Sequence, residues 1–391
     1  MNNRVLVLGG NHYNPLGVIE ALGQKGILSD VIIMGNCKKS FVLKSKYIAR
    51  SWICHTDDDV ITTIIANFTD MKNKVVTIAC SDDAACLLDE HNGELSGLLY
   101  IPGTNPPGSL SSWQDKQKMT DTAENLGMTI PKTWVVCNKI IPPEIEYPCI
   151  TKPITSVKFG KTDFSICNNN EELTDFIKNK SHSNSIQVQK LVDKDFEYQL
   201  MGCSLNAGET IIIPGDTYIK KVVGFTNGAF MKYHKNIVCE KPKIIQLCHE
   251  FIRKTGYSGL FSVEYMRGVD GKDYFLEMNF RNDGNCAVVT AAGTNLPYIW
   301  YLYNTGGDYQ AEIEESMVKE TYSVPEDAYF ASMLRGDVSF KEWYLNMKKI
   351  GGGITYFKSD TKPFWALIWL QKETLLKAAL IGVLRKLGLR K

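Results

Sequence analysis

Gly259-Leu-Phe-Ser-Val-Glu264-Tyr-Met-Arg267 and Asp273-Tyr-Phe-Leu-Glu277-Met-Asn279-Phe-Arg281 are the two alternating segments that decide the fold of this chain. Between them lies Gly268-Val-Asp270-Gly271-Lys272, and an Asp-Gly pair in this setting is the strongest short-range signal of a β-hairpin. With Asp270 and Gly271 as the turn pair, Val269 faces Lys272. The same constant register then places Glu264 directly opposite Glu277.

This register sets the chemistry of the two hairpin faces. Side chains alternate along a strand, so one face carries Glu277, Asn279 and Arg281, and the other carries Tyr274, Leu276, Met278 and Phe280. Two carboxylates that face each other, with about 5 Å between their Cβ atoms, repel and destabilise a sheet. A hard divalent cation between Glu264 and Glu277 removes this repulsion, and Asn279 adds a neutral oxygen, a donor set that favours Mg²⁺ together with substrate phosphates. The alternative is a surface hairpin with solvated charges.

Composition narrows the class of protein. The 391 residues suggest two or three domains, and a hydrophobic content of 44% is enough for a sizeable core. The 44 basic and 43 acidic residues nearly cancel, which argues against a polyanion-binding surface and against a nucleic-acid partner. Eleven cysteines without a C-x-x-C pair and six histidines without metal spacing indicate neither a disulfide framework nor a zinc site. This usage fits a reducing cytosol.

The first hundred residues predict a parallel α/β unit. Apolar runs at residues 5–8, 31–34 and 75–79 are typical of strands, and helical segments follow the first and third of them. Asn14, followed by Pro15, offers an N-cap for the first helix, and Ser81, followed by two aspartates, offers one for the second. We expect no secretory signal and no spanning helix, since the first apolar run is short and none reaches about 18 residues. The loop at residues 9–17 lacks the dinucleotide fingerprint. A small anion or a substrate at the helix N-terminus and a plain tight turn are all open for this loop.

Several lysines precede the glutamate pair. Lys116 opens the helix after a linker rich in Gly, Pro and Ser, Lys152 ends a short strand, and Lys158 lies in a small, basic segment at residues 155–161. An ammonium group suits phosphate oxygens, and the segment resembles a flap whose amides cover phosphates. A lysine in such a place, taken alone, is more often a solvated surface residue than a phosphate ligand. Residues 186–197 predict a strand that runs into an acidic loop.

In this order, the segments resemble the ATP-grasp superfamily over about residues 1–300. The resemblance is strongest to its carboxylate–amine (amino acid) ligase branch, which includes D-aspartate ligase-like and carbamoyl-phosphate-synthase-like proteins. It implies an α/β and α+β chain: a Rossmann-like domain over 1–108, a small ATP-grasp lobe over 109–185, a large lobe over 186–300 with the Mg²⁺ and ATP site, and a mainly helical C-terminal extension over 301–391.

The resemblance also implies roles for individual residues. Glu264, Glu277 and Asn279 would hold Mg²⁺, with Mn²⁺ as a substitute, and Arg281 would steady the transferred phosphoryl group. Another basic catalytic group would be Lys221. The residues that the resemblance assigns to ATP are Lys116, Lys152 and Lys158 at the phosphates, Gln189, Lys190 and Val192 at the adenine, and Glu197 at the ribose. The segment around Lys158 is poorer in glycine than in many members, with Lys161 as further positive charge.

The function implied is an ATP-dependent ligase that activates a small carboxylate as an acyl phosphate and joins it to an amine, with release of ADP and phosphate. Within the superfamily, a kinase or an enzyme that releases an acyl phosphate remains open. From another class, a noncatalytic nucleotide-binding module also remains open. A nicotinamide-dependent oxidoreductase is disfavoured because the N-terminal unit lacks the glycine fingerprint.

The C-terminal stretch at residues 364–391 is apolar, with basic residues at its end. One interpretation is a helix pair packed on the protein or on a second subunit, as in a homodimer. The other is a membrane-surface anchor, with Trp365 and Trp369 at the headgroups and the basic tail on anionic lipid. We therefore expect a cytoplasmic protein, with peripheral contact at the inner face of the membrane as the open alternative.

Overall fold

The computed structural model describes residues 3–154, 164–181, 185–222, 229–234, 240–315 and 320–389. Within these ranges the strands form three sheets, and helices dominate the C-terminal part. The predicted class is confirmed: an α/β first part is followed by α+β parts and a helical end.

The first sheet is parallel and has the strand order β3-β2-β1-β4-β5. Its strands are β1 (Val5–Gly9), β2 (Ser29–Met34), β3 (Ile48–Cys54), β4 (Val75–Ala79) and β5 (Leu99–Tyr100). Its helices are α1 (Tyr13–Gly23), α2 (Asp57–Phe68), α3 (Asp82–Glu90) and the short α4 (Asn92–Leu95). The strand order reverses direction between β1 and β4, and ligands bind outside the carboxyl ends of strands at such a point.

Local sequence explains where two of these helices begin. Ser81 caps α3, as predicted, by accepting a hydrogen bond from the Ala84 amide at 3.2 Å. Helix α1 was expected to have Asn14 as its cap, and this was wrong. The cap is His12, whose Nδ1 accepts from the Asn14 amide at 3.4 Å, while the Asn14 side chain is used for a different contact.

The second sheet is antiparallel, with the order β6-β9-β7-β8. Its strands are β6 (Thr133–Cys137), β7 (Cys149–Pro153), β8 (Ser165–Cys167) and β9 (Ser185–Lys190). Two helices, α5 (Leu110–Trp113) and α6 (Lys116–Asn125), precede it, and α7 (Asn170–Asp175), continued by a π turn to Lys180, covers it. Its own small core includes Trp134, Leu173 and Val188.

The third sheet contains the hairpin that decided the fold. Its order is β15-β14-β10-β12-β13-β16, with β11 paired to β10. The strands are β10 (Lys194–Leu205), β11 (Thr210–Ile212), β12 (Asp216–Val222), β13 (Ala229–His234), β14 (Gly259–Gly268), β15 (Asp273–Asn279) and β16 (Thr321–Ser323). The amphipathic helix α8 (Pro242–Thr255) buries Cys248 and Phe251 against the same core as Phe275 of the hairpin.

The hairpin pairs Glu264 with Glu277, as predicted, but the predicted turn was wrong. The Gly268 amide donates to the Lys272 carbonyl at 2.9 Å, so residues 269–271 form a three-residue loop, with Gly271 at a φ of +80°. A bulge between Glu264 and Tyr265 then shifts the register back by one residue. Leu276 is the extra residue, and it lines the same cavity as Glu277, whereas the prediction placed it on the opposite face.

The C-terminal part is built from helices. They are α9 (Cys286–Ala292), α10 (Leu296–Thr305), α11 (Tyr309–Glu315), α12 (Glu326–Arg335), α13 (Phe340–Met347), α14 (Lys362–Leu370) and α15 (Lys372–Lys386). Helix α15 packs on α12 through Leu375, Ala378 and Gly382. A Cβ atom at Gly382 would lie 2.1 Å from the Leu334 carbonyl oxygen, so glycine permits this close approach. Among the described residues, no helix is long and apolar enough to cross a membrane.

Candidate active site

The glutamate pair faces a cavity of about 810 Å³ that lies between the sheets. Strand β10 pairs with β14, so Gln199 lies opposite Glu264 on the same face. The sequence-predicted residues that line this cavity are Lys116, Lys152, Glu197, Glu264, Glu277, Asn279 and Arg281. They come from five separate segments of the chain, and the fold brings them to one place.

Glu277 is held by basic groups. Lys116, the first residue of α6, places its Nζ 2.6 Å from Glu277 Oε2, and Asp115 caps that helix by accepting from the Lys118 amide at 2.8 Å. Burial, the largest influence, acts to raise the pKa of Glu277. The positive charges of Lys116, then Lys152 and Arg281, outweigh it and leave the pKa below its ordinary value. Glu277 is therefore the ionised member of the pair.

Glu264 lies in a different environment from its neighbour. Burial, followed by the charges of Glu277 and Asp283, raises the pKa of Glu264 to about 8. Its Oε1 accepts from Gln199 Nε2 at 3.3 Å and from Asn279 Nδ2 at 3.4 Å. When two carboxylates face each other at short distance, their repulsion moves their pKa values apart, and such pairs are frequent at functional sites.

Arg281 follows the last hairpin strand and binds acidic and amide groups on two sides. Its Nε lies 3.2 Å from Asp82 Oδ1, its Nη1 lies 3.2 Å from Asp283 Oδ2, and its Nη2 donates to Asn279 Oδ1 at 3.2 Å. The pKa of Arg281 is raised, because Asp82, Asp283 and the glutamates outweigh the opposing effect of burial. The guanidinium is thus permanently charged and fixed in direction.

The donor set fits a hard divalent cation. Glu264, Glu277 and Asn279 offer two carboxylates and one amide oxygen, and Mg²⁺ usually takes one or two carboxylates and completes its shell with phosphates and water. The part of the chain that the structure describes has no group of three or more His, Cys, Asp or Glu residues suited to a metal ion. Lys116 competes with such an ion for Glu277 Oε2.

A second wall of the cavity was anticipated only in part, because the sequence left the loop at residues 9–17 open as a small-anion or substrate site but assigned no such role to residues 80–83, 283 and 285. It comes from the carboxyl ends of β1 and β4 in the parallel sheet, and its members are Gly10, His12, Tyr13, Asn14, Cys80, Ser81, Asp82 and Asp83, joined by Asp283 and Asn285 from the loop after β15. Burial, followed by Asp82, raises the pKa of Asp83. The signal was available: both loops follow strands that flank the point where strand order reverses.

Asn14 ties the two walls together. Its Nδ2 donates to the Asn282 carbonyl at 2.7 Å and to the Cys80 carbonyl at 2.9 Å, and the Asn282 amide donates to the Ala79 carbonyl at 3.0 Å. The parallel sheet therefore fixes the loop that carries Arg281 and Asp283. The loop at residues 9–17 therefore has a structural role as well, because it connects the parallel sheet to the loop after β15.

The predicted adenine residues lie away from the cavity lining. Gln189 is buried and its Nε2 donates to Thr133 Oγ1 at 3.1 Å, while Lys190 Nζ donates to the Tyr147 carbonyl at 3.0 Å. Val192 lies beside Gly268, at the base of the hairpin loop. Glu197 does line the cavity, and Lys194 Nζ lies 2.8 Å from its Oε1. The role of this segment at a nucleotide stays a prediction.

Two predicted basic residues have no described side chain. Lys158 lies outside the described residues, as does the rest of the predicted flap. Lys221 belongs to β12, where its backbone pairs with Phe230, and the position of its side chain is outside the description. Lys152 is described: it lines the cavity, and burial, followed by the charge of Lys116, lowers its pKa.

With this geometry in place, the comparisons with known proteins are informative about the fold. Residues 230–325 match the model of the family described as ATP-grasp in the biosynthetic pathway with Ter operon. This match covers both glutamates of the hairpin, Asn279 and Arg281. No curated protein matches the chain.

Several solved structures share the architecture over most of the chain. The L-amino acid ligase from Bacillus licheniformis is 14% identical with a TM-score of 0.61, over 82% of this chain and 78% of that one. The ADP complex of N5-carboxyaminoimidazole ribonucleotide synthetase has the same identity and TM-score, over 86% and 85%. The biotin carboxylase domain of Hydrogenobacter thermophilus 2-oxoglutarate carboxylase, solved with MgADP, is 15% identical at 0.60, over 78% and 70%. The predicted resemblance to the ATP-grasp superfamily is thereby confirmed as a fold.

Proposed function

We propose that this protein is an ATP-dependent ligase that activates a small carboxylate as an acyl phosphate and joins it to an amine. The observation that carries the proposal is the face-to-face pair Glu264 and Glu277 inside a cavity that also holds Lys116, Lys152 and Arg281. Paired carboxylates alone would destabilise the sheet. With a divalent cation and a triphosphate, they become a binding site in which negative and positive charges balance.

The basic residues of the cavity have different roles, which follow from their positions. Lys116 and Lys152 lie beside Glu277 and supply compact positive charge for phosphate oxygens. Arg281 is held by Asp82, Asp283 and Asn279, so its guanidinium is fixed before any substrate arrives. Such fixed charge stabilises a developing phosphoryl group at little cost in reorganisation. Magnesium, held by Glu264, Glu277 and Asn279, would supply further charge neutralisation at the phosphates.

The reaction follows from the electrophile that is needed. A carboxylate resists attack because resonance and negative charge shield its carbon. Its oxygen takes the γ-phosphoryl group, the bond from γ-phosphorus to the β-bridging oxygen breaks, and ADP leaves. The amine nitrogen then attacks the acyl carbon, the carbon–oxygen bond to phosphate breaks, and the amine loses a proton as inorganic phosphate departs. Arg281 neutralises charge in both steps.

We assign the amine to the wall formed by the parallel sheet. Asp82, Asp83 and Asp283 lie there, and Arg281 bonds to Asp82 and Asp283 but not to Asp83. Asp83 follows the Ser81 cap in the first turn of α3 and presents a carboxylate beside the cavity. A carboxylate in this place favours a cationic or amine-bearing substrate over an anionic one.

Product analysis tests the function. Purified protein with Mg²⁺ and ATP is screened with pairs of amino acids and amino sugars, and ADP release is measured with each component omitted in turn. The proposal predicts that ADP release requires both a carboxylate and an amine, with one amide formed per ADP. ADP release with one substrate and a stable phosphorylated product would instead establish a kinase. Tight ATP binding without turnover across the screen would favour a noncatalytic module.

A further inference from the structure

The C-terminal helix α15 presents two unlike faces. Leu375, Ala378 and Gly382 are buried against α12. On the other side, Leu376, Leu380, Val383 and Leu387 follow one another at intervals of four, three and four residues, so they form a single stripe. Their exposed fractions are 70%, 59%, 53% and 66%. Four large aliphatic side chains on one exposed helix face are an interaction surface.

The preceding helix adds aromatic groups. Trp365 and Trp369 of α14 are 61% and 69% exposed, while Leu367 of the same helix is buried in the core shared with the parallel sheet. Lys372 Nζ lies 4.5 Å from the centre of the Trp369 ring at the junction of the two helices. Tryptophan and lysine together are favoured at the boundary between apolar chains and charged headgroups.

Charge is segregated into this part of the chain. Residues 361–391 contain seven basic residues and one acidic residue, Glu373, whereas the whole chain has a formal net charge of only +1. The first 360 residues therefore carry a net charge of −5 and the last 31 carry +6. Arg385 is used inside the protein, with its Nη1 2.6 Å from Asp337 Oδ1. Of the other basic residues, Lys372, Lys377 and Lys386 belong to α15, the helix that carries the apolar stripe.

We propose that helices α14 and α15 bind the surface of an anionic lipid bilayer. The leucine stripe and the two tryptophans enter the boundary between headgroups and acyl chains, and the lysines contact anionic headgroups. Helix α15 has 15 residues, about 22 Å at 1.5 Å per residue, which is shorter than a hydrocarbon core of about 30 Å. The contact is therefore parallel to the membrane plane.

Charge also favours a lipid surface over a second copy of the chain as the binding partner of these helices. A two-fold symmetric dimer through the stripe would bring two segments of charge +6 together. Such like-charge contact opposes association, whereas an anionic surface attracts both apolar and basic parts of the same face. Membrane binding is independent of the proposed ligase chemistry, because none of the cavity residues belongs to α14 or α15.

Vesicle sedimentation with the full-length protein tests the proposal. We expect the protein to pellet with vesicles of phosphatidylglycerol and phosphatidylcholine, and at least about tenfold less with pure phosphatidylcholine vesicles. The double variant L376Q/L380Q should lose at least about tenfold in binding to the mixed vesicles, since two exposed apolar groups no longer enter the boundary. The variant K372Q/K377Q should show a smaller loss that disappears at high salt.

The matched control is L28Q/I140Q, which removes two exposed aliphatic groups elsewhere in the chain and should bind like the wild type. Circular dichroism and ATP turnover without vesicles should be unchanged in L376Q/L380Q, which separates lost binding from lost folding. Failure of the wild-type protein to sediment with anionic vesicles would overturn the proposal. So would a concentration-dependent dimer in sedimentation equilibrium that L376Q/L380Q abolishes while vesicle binding is absent, since the stripe would then join two copies.

Discussion

The cavity and the C-terminal helix pair are opposites in shape, charge and use of apolar groups. The cavity is concave, and the six acidic residues of its lining outnumber its three basic residues, Lys116, Lys152 and Arg281. The helix pair presents an outward face with an exposed stripe of leucines, and its segment has a net charge of +6. Each region is costly by itself: facing carboxylates repel, and exposed leucines contact water.

Each of these unfavourable arrangements would be relieved by a ligand of opposite character. The acidic residues of the cavity favour cations and a substrate bound inside it. The exposed leucines and the lysines favour an extended surface that is both apolar and anionic. The net charge of the whole chain shows neither region, because the excess of acidic residues over the first 360 positions nearly cancels the excess of basic residues at the end.

Glu277→Gln should give the largest effect. The substitution keeps the shape of the side chain but removes the ionised carboxylate that faces Glu264 and bonds to Lys116. We expect Mg²⁺-dependent ADP release to fall at least about a hundredfold, with the fold retained by circular dichroism. Glu171→Gln, an exposed glutamate on the small lobe, is the control. Near-wild-type turnover of the Glu277 variant would reject the metal-site assignment.

Lys152→Met should weaken nucleotide binding. It removes positive charge from a buried position beside Glu277 and keeps the apolar stem of the side chain. We expect the dissociation constant for ATP with Mg²⁺, measured by calorimetry, to rise about tenfold or more. Lys254→Met, at an exposed position of α8, should leave it unchanged. An unaltered dissociation constant in the Lys152 variant would separate this residue from the phosphates.

Asp83→Asn should affect the amine substrate selectively. If this carboxylate attracts the amine, its loss raises KM for the amine about tenfold and changes kcat and KM for ATP little. Asp58→Asn is a close control, because Asp58 also lies in the first turn of a capped helix but on α2, outside the cavity lining. Equal loss of kcat for every substrate would show that Asp83 supports the site in another way.

Glu20→Gln should produce a change in stability at the junction of the two regions. Glu20 of α1 is fully buried, and Ser359 Oγ, shortly before α14, donates to its Oε2 at 3.1 Å. Burial, then the neighbouring Asp360, raises the pKa of Glu20 to about 8. The folded state therefore binds a proton that the unfolded state loses near pH 4.5, and the free energy of unfolding falls as pH rises from there to about 8.

Chemical denaturation across this pH range checks the sign. The wild type should lose stability as pH rises through the window, at up to about 1.4 kcal/mol per pH unit from this group, and Glu20→Gln should show a flatter profile. Glu90→Gln, at an exposed position, should reproduce the wild-type slope. A Glu20 variant with the wild-type slope would mean that this carboxyl is already ionised in the folded protein.

The hairpin shows how far the sequence could be interpreted correctly. Alternation and the Asp-Gly signal predicted that Glu264 faces Glu277, and it does. The predicted turn was nonetheless wrong, because a three-residue loop moved the register by one and the bulge at Leu276 moved it back. A bulge has no reliable local signature, since it depends on packing across the sheet. The predicted pairing of Glu264 with Glu277 was therefore correct only because the loop and the bulge shift the register by one residue in opposite directions.

The second wall shows where local patterns fail. Asp82 and Asp83 looked like ordinary first-turn residues behind the Ser81 cap, and they have that role. Their place beside Arg281 depends on contacts between residues 14, 80 and 282, which are far apart in the sequence. The strand order could have indicated this edge, because both loops follow strands at its reversal point. Their distances to Arg281 required the structure.

The most direct test of the central claim measures the metal ion itself. Binding of Mn²⁺, a spectroscopic substitute for Mg²⁺, is followed by electron paramagnetic resonance with a non-hydrolysable ATP analogue present. We predict that the wild type binds Mn²⁺ only together with the nucleotide, and that the folded double variant E264Q/E277Q does not bind it. Equal nucleotide-dependent Mn²⁺ binding by wild type and double variant would contradict the account.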